Sequence, residues 1–359
     1  MHSADFKNEQ HEQLMKAIQG IHAPDTSVMA VSKQRMDQLV KPQGSLGRLE
    51  DLAIQLSGIY RSPKPTVNGK AVVVMCADNG VCVEEIASAP QIVTYIQAIN
   101  ISKGVSGVGA LAKAMNATVY TVDIGINSED TPSGLIDRKI LKGTNNIRRE
   151  HAMSYEQAVQ ALCVGVEMVK KAVFEGHNII ATGEMGIGNT STSTAILSLL
   201  SGISAKELTG VGANFPVEKL EHKAAVICDA IDCKTIALED PIEILAAVGG
   251  LDIAGLTGVM LGGAIYGVPV IVDGYISTVS ALLACQLNPL VKQYLIPSHA
   301  SHEKSAALAT ELLGLEPYLS LNMRLGEGSG AVLAFDLASA ACTILNDMIT
   351  FEESGIGVV

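Results

Sequence analysis

Four short, unbroken apolar runs, each closing on or just before an acidic residue, constrain this chain most. They are Lys70-Ala71-Val72-Val73-Val74-Met75-Cys76-Ala77 before Asp78, Thr118-Val119-Tyr120-Thr121-Val122-Asp123, Asn178-Ile179-Ile180-Ala181-Thr182 before Glu184, and Val268-Pro269-Val270-Ile271-Val272-Asp273. A strand with one wet face alternates apolar and polar side chains, so continuous runs imply strands covered on both faces. Segments of helical periodicity separate the runs. This predicts an α/β fold, doubly wound, with a mainly parallel sheet. Ligands of such sheets bind beyond the carboxyl ends of the strands, and the loops predicted there hold Asp78, Asp123, Glu184 and Asp273.

The flanks read differently. Residues 5–61 are polar and helical in pattern, with Leu39, Leu46, Leu49, Leu52, Ala53, Leu56 and Ile59 spaced for one buried face, until Pro63-Lys64-Pro65 stops the helix. A long helix is expected over residues 331–348, placed to pack with the N-terminal helices. The expected organisation is therefore residues 1–65 as the N-terminal part of a small helical domain, 66–330 as a large α/β catalytic domain, and 331–359 as a C-terminal helix joining the small one. Residues 246–272 are apolar except for Asp252 and a few small polar groups, and exceed the roughly 20 residues that span a bilayer. Gly249-Gly250, Gly262-Gly263 and Gly267-Val268-Pro269 interrupt them, and no Lys or Arg flanks them closely, so a buried helix followed by a buried strand is expected rather than a membrane span.

Composition removes other classes. With Lys+Arg 25 against Asp+Glu 37, the net charge of −12 disfavours a nucleic-acid partner. Hydrophobic content of 48% with 17% charged residues excludes intrinsic disorder. Seven Cys without a C-x-x-C pair fit reduced thiols in a cytoplasmic protein, and the N-terminus has no apolar signal segment.

Three glycine-rich turns are candidates for chemistry. Residues 182–195 leave a strand, pass Gly183, Gly186 and Gly188, and enter a Ser/Thr-rich helix, a natural phosphate cradle built from backbone N–H groups. The block is neither G-x-x-x-x-G-K-[ST] nor G-x-G-x-x-G, and a capped strand-to-helix turn is the plain alternative. Residues 210–216 form a second such turn, followed by Lys219 and Lys223, either of which is placed to reach a phosphate or to point into solvent. Near the end, Asn322-Met323-Arg324-Leu325-Gly326-Glu327-Gly328-Ser329-Gly330 holds an acid between glycines ahead of a helix, which suits a general base or a solvated turn. Glu184 and Glu327 together are compatible with two carboxylates flanking an oxocarbenium-like centre. His299 and His302 lack companions at ligand spacing, so no metal is expected. A serine-hydrolase elbow is absent.

Seven blocks in order carry a resemblance: Lys41-Pro42-Gln43-Gly44-Ser45-Leu46-Gly47-Arg48-Leu49-Glu50, Cys76-Ala77-Asp78-Asn79-Gly80-Val81, residues 183–190 and 210–214, Val272-Asp273-Gly274, Pro297-Ser298-His299, and residues 324–330. From about residue 30 to 357 the chain resembles the nicotinate-nucleotide:dimethylbenzimidazole phosphoribosyltransferases. The resemblance implies a Rossmann-like α/β domain with a smaller helical domain, a homodimer, and transfer of phosphoribose from nicotinate mononucleotide to an aromatic base for cobamide synthesis. Nicotinate leaves, and the anomeric centre inverts from β to α. Nicotinate mononucleotide is a substrate, so no cofactor is implied. Carried over residue by residue, Glu327 matches the family's general base and Glu184 its second active-site acid, which orients ribose or assists electrostatically. Gly186, Asn189, Thr190, Gly212, Asn214, Lys223 and Ser301 fall where the family binds the mononucleotide. Gln97, Met185 and Leu325 fall along its aromatic-base pocket.

Departures cluster at one place. Relatives usually read Asp-His-Gly at Asp78-Asn79-Gly80, commonly carry acids at Ile92 and Ile99, and in some cases a hydroxyl at Ala89. An acceptor side made more apolar offers fewer partners to a second ring nitrogen. The resemblance therefore leaves open a phenol- or p-cresol-transferring subunit of a heterodimer, a non-catalytic partner subunit, and a hydrolase using water as acceptor.

Overall fold

The computed structural model describes residues 2–212 and 215–356. Its centre is a six-stranded sheet in the order β3-β2-β1-β4-β5-β6, with every pairing parallel. The strands are β1 (Lys70–Ala77), β2 (Ala117–Gly125), β3 (Ile136–Asp137), β4 (Ile179–Met185), β5 (Val270–Val272) and β6 (Leu295–Pro297). The four apolar runs are the four inner strands. The two edges, β3 and β6, are too short to show a period, which is why the sequence did not display them.

Helices cover both faces, as the unbroken runs require. On one side the Tyr155–Phe174 helix packs along the Leu251–Tyr266 helix, which lies against β1, β2 and β4. Close approach there needs glycine: a Cβ on Gly165 would sit 2.1 Å from the Gly255 carbonyl oxygen, and one on Gly258 2.1 Å from that of Leu162. On the other side the Ser329–Asp347 helix lies over β4 and β5 and also packs against the Arg48–Ile59 helix. The apolar stretch expected as one buried helix is two, Pro241–Val248 and Leu251–Tyr266, broken at Gly249-Gly250. Among the described residues one helix, Ser329–Asp347, is long and apolar enough by composition to cross a membrane; over half of it is buried inside the fold.

The N-terminal helical region is three helices, His2–Gln19, Thr26–Gln38 and Arg48–Ile59, with the first packing on the Tyr155–Phe174 helix. Between the second and third, the buried Lys41 ammonium donates to Glu50 at 2.8 Å, and the Leu46 N–H donates to the same carboxylate oxygen at 3.0 Å. This pair shapes the 41–47 turn, where Gly44 and Gly47 take positive φ.

The acids at the strand ends separate into two kinds. Asp123 and Glu184 lie within β2 and β4 rather than in the loops expected for them. Asp123 accepts the Ile126 N–H at 2.9 Å and pairs with Lys139 at 3.3 Å, so it builds its own turn. Asp78 likewise accepts the Asn127 N–H at 2.8 Å. Only Glu184 and Asp273 reach the cleft beyond the sheet.

Candidate active site

At the carboxyl ends of β4, β5 and β6 lies a cleft of about 300 Å³. β4 delivers Glu184 and Met185, and the chain then turns through Gly186 and Gly188, the latter at φ 95, into the Asn189–Ser201 helix. The turn closes tightly on its neighbours, since a Cβ on Gly186 would lie 2.4 Å from an Asp252 carboxylate oxygen.

Glu184 is buried in an acidic surrounding. The Asn189 side-chain amide donates to Glu184 and, at 3.1 Å, to Asp252 at the start of the Leu251–Tyr266 helix. Burial first, and the Asp252 charge second, push the Glu184 carboxyl up to about 8, while burial raises Asp252 to about 6. Both shifts favour the protonated carboxyl, and the larger falls on Glu184, which as a neutral acid is able to donate.

Glu327 is held in the opposite sense. It sits at φ 65 between Gly326 at φ 81 and Gly328 at φ 93, three successive left-handed residues that turn its side chain into the protein, where it is 4% exposed. One carboxylate oxygen accepts from the Gln97 amide at 2.6 Å; the other accepts the Val108 N–H at 3.1 Å, in the first turn of the Gly107–Ala114 helix. The two donors fix the orientation of the carboxylate, one on each oxygen. The loop also presses on Glu184: a Cβ on Gly326 would lie 2.4 Å from a Glu184 oxygen, and one on Gly183 would lie 2.3 Å from the Glu327 carbonyl oxygen. The solvated-turn alternative for Glu327 is thus overturned.

Lys223 is 2% exposed, which overturns its solvated alternative too, whereas Lys219 is exposed. Its ammonium lies 3.3 Å from the Thr190 hydroxyl and 3.4 Å from the Gly210 carbonyl, beside the Phe215 ring and close to Gly212. Burial pushes it down to about 8, opposed by Glu303. Thr190, Gly212 and Lys223 thus converge on a small recess that shares Thr190, Tyr275 and Glu303 with the cleft.

Gly186, Asn189, Ser301, Met185, Leu325 and Gln97 all line the cleft, with Leu325 exposed at its rim. Asn214 lies outside the described residues. Gln97, expected along an aromatic-base pocket, also has its amide on Glu327. Ile92 and Ile99 do not line the cleft, and Ala89 faces a separate recess with Cys82 and Lys219. The apolar replacements thus lie outside the cleft, so the expected change on its acceptor side does not follow from them. Two relations escaped the sequence reading: Asp252 beside Glu184, whose lone charge in an apolar stretch was the available signal, and Gln97 as a partner of Glu327; His299, weighed there only as a metal ligand, is buried in the cleft wall. Among the described residues, no group of three or more His, Cys, Asp or Glu is placed to hold a metal.

A parallel α/β sheet with a glycine-rich strand-to-helix turn, a buried cation and two differently held carboxyl groups at its C-terminal edge has the parts of a group-transfer enzyme. A family model described as phosphoribosyltransferase matches residues 21–356. The nicotinate-nucleotide:dimethylbenzimidazole phosphoribosyltransferase of Alkaliphilus metalliredigens is 49% identical over 96% of this chain and 99% of its own length. The protein of that name from Escherichia coli strain SE11 is 44% identical over 96% of each. A crystal structure of that enzyme from Thermus thermophilus superposes with a TM-score of 0.88 at 37% identity, covering 93% of this chain and all of the other. The chain belongs to this phosphoribosyltransferase family.

Proposed function

We propose that the protein transfers the phosphoribosyl group of nicotinate mononucleotide to an aromatic base of the dimethylbenzimidazole type, releasing nicotinate and giving the α-ribotide used in cobamide synthesis. The relatives' shared activity supports this reading, and one observation carries its mechanism: two buried carboxyl groups side by side in the cleft, Glu327 held by two donors and Glu184 with burial favouring its protonated form.

The chemistry needs little else. The C1′–N bond to nicotinate breaks, and its electron pair returns to the pyridinium nitrogen, which becomes neutral, so departure requires neither acid nor metal. A ring nitrogen of the acceptor bonds to C1′ from the opposite face, and the proton on its other nitrogen passes to Glu327. Glu184, neutral at pH 7, donates a hydrogen bond to the sugar rather than supplying negative charge; of its two expected roles, orienting ribose is the one its surroundings support. Lys223, Thr190 and Gly212 form the cationic end for the 5′-phosphate, with Gly186, Asn189 and Ser301 along the mononucleotide and Met185, Leu325 and Gln97 on the acceptor side. No metal or cofactor takes part in this scheme. Exposed Ile92 and Ile96 on the Ile92–Ser102 helix supply apolar surface for a second subunit, either the same chain or a homologous one, and the unpaired cysteines support a cytoplasmic setting.

The test is an acceptor panel. Purified protein with nicotinate mononucleotide and dimethylbenzimidazole, adenine, phenol, p-cresol or no acceptor is expected to give nicotinate and an α-ribotide with the benzimidazole. Nicotinate release without any acceptor would instead make it a hydrolase. Turnover only after adding a homologous second chain would make it a subunit of a heterodimer.

A further inference from the structure

The left-handed backbone that presents Glu327 needs something to hold it, and the holding group belongs to another strand. Asp273, immediately after β5, is buried, and its two oxygens accept three backbone N–H groups from the segment following Glu327. One oxygen takes Gly330 at 2.9 Å and Ala331 at 3.0 Å; the other takes Gly328 at 3.1 Å. These are N–H groups that open the Ser329–Asp347 helix, whose N-cap, Gly328, has no side chain to serve them. Asp273 is itself fixed to the strand bearing Glu184, because its own N–H donates to the Thr182 hydroxyl at 3.1 Å. The imidazole of His299 stands 3.8 Å from its carboxylate and 3.0 Å from the Ser298 hydroxyl.

From this geometry we infer that Asp273 is a positioning residue for Glu327: one carboxylate clamps the Gly328–Ala331 backbone to β4 and β5 and thereby sets where the base points. The inference rests on Glu327 being the base. Asp273 is not required to touch either substrate. If its role is positional, its loss should lower the chemical step while leaving mononucleotide binding almost unchanged.

Asp273→Asn keeps the shape but turns a donor toward one of the three N–H groups. It is expected to lower kcat at least tenfold while the KM for nicotinate mononucleotide changes less than threefold. In a Glu327→Gln background, followed by single turnover with enzyme in excess, the same change is expected to alter the residual rate less than twofold, because the base it positions is already gone. A kcat loss below threefold, a KM rise in step with the kcat loss, or effects that multiply in the double variant would overturn the proposal. If Glu327→Gln alone left turnover intact, the base reading itself would fall, a result distinct from a silent Asp273→Asn beside a crippled Glu327→Gln. Should Asp273→Asn not fold, Thr182→Val tests the same clamp from its other end: a kcat-only loss of about threefold supports it, and unchanged kcat or a rise in KM overturns it.

Discussion

The two glutamates of the cleft belong to one residue type and to opposite environments. Glu184 stands near the end of a central strand, sharing one amide with Asp252 in a region of buried acids, and burial keeps its proton on. Glu327 stands on a turn between two glycines, where an amide and a backbone N–H in the first turn of a helix each hold one of its oxygens. A single fold thus supplies a donor and an acceptor from identical side chains, by choosing what surrounds each.

The largest expected effect breaks this contrast on the acceptor side. Glu327→Gln should lower turnover by about 10²–10⁴-fold, the usual range for losing a general base, with mononucleotide affinity changed less than threefold by calorimetric titration. A parallel loss of binding would mean that Glu327 holds substrate instead. Next, pH should separate the two sides. Lys223, pushed down to about 8, loses its charge above that pH in the free enzyme, so kcat/KM should fall up to tenfold per pH unit there. Lys223→Arg, always charged, should flatten the fall; an unchanged alkaline limb would assign it to Glu184.

Stability offers a smaller effect. Gly183→Ala would drive a Cβ against the Glu327 carbonyl oxygen, at a cost of about 1–3 kcal/mol in thermal or urea unfolding. Linkage gives the sign for Glu184. Its folded value of about 8 exceeds the ordinary 4.5, so the folded state binds the extra proton between those pH values, and stability falls as pH rises through that window. Glu184→Gln should remove that slope, measured by urea unfolding from pH 5 to 8. The smallest effect serves as the control: the exposed Lys33–Asp37 pair, 3.2 Å apart, should contribute about 0.5 kcal/mol or less, read by Lys33→Ala.

The sequence exposed these regions unequally. The inner strands were legible because a run such as Val72-Val73-Val74 has no wet face, and the order of helices between them required parallel pairing. Glu184 and Glu327 stood out beside glycines, and resemblance gave them roles. What stayed hidden depends on pairs distant in the chain: the Gln97 amide on Glu327 spans 230 positions, and the Asp273 clamp on Gly330 spans 57. No local period records such contacts. Lys223 was ambiguous for a related reason, since one lysine on an amphipathic helix reads alike whether it faces water or a recess. The two-residue β3 falls below any periodic signal.

Protonation states test the contrast directly. Infrared difference spectra of the full protein between pH 7 and pH 9.5 report carboxyl groups that are protonated at the lower value. We expect a protonated-carboxyl band in the wild type that disappears in Glu184→Gln and persists in Glu327→Gln. A band lost in Glu327→Gln and kept in Glu184→Gln would reverse the assignment of donor and acceptor and contradict the account.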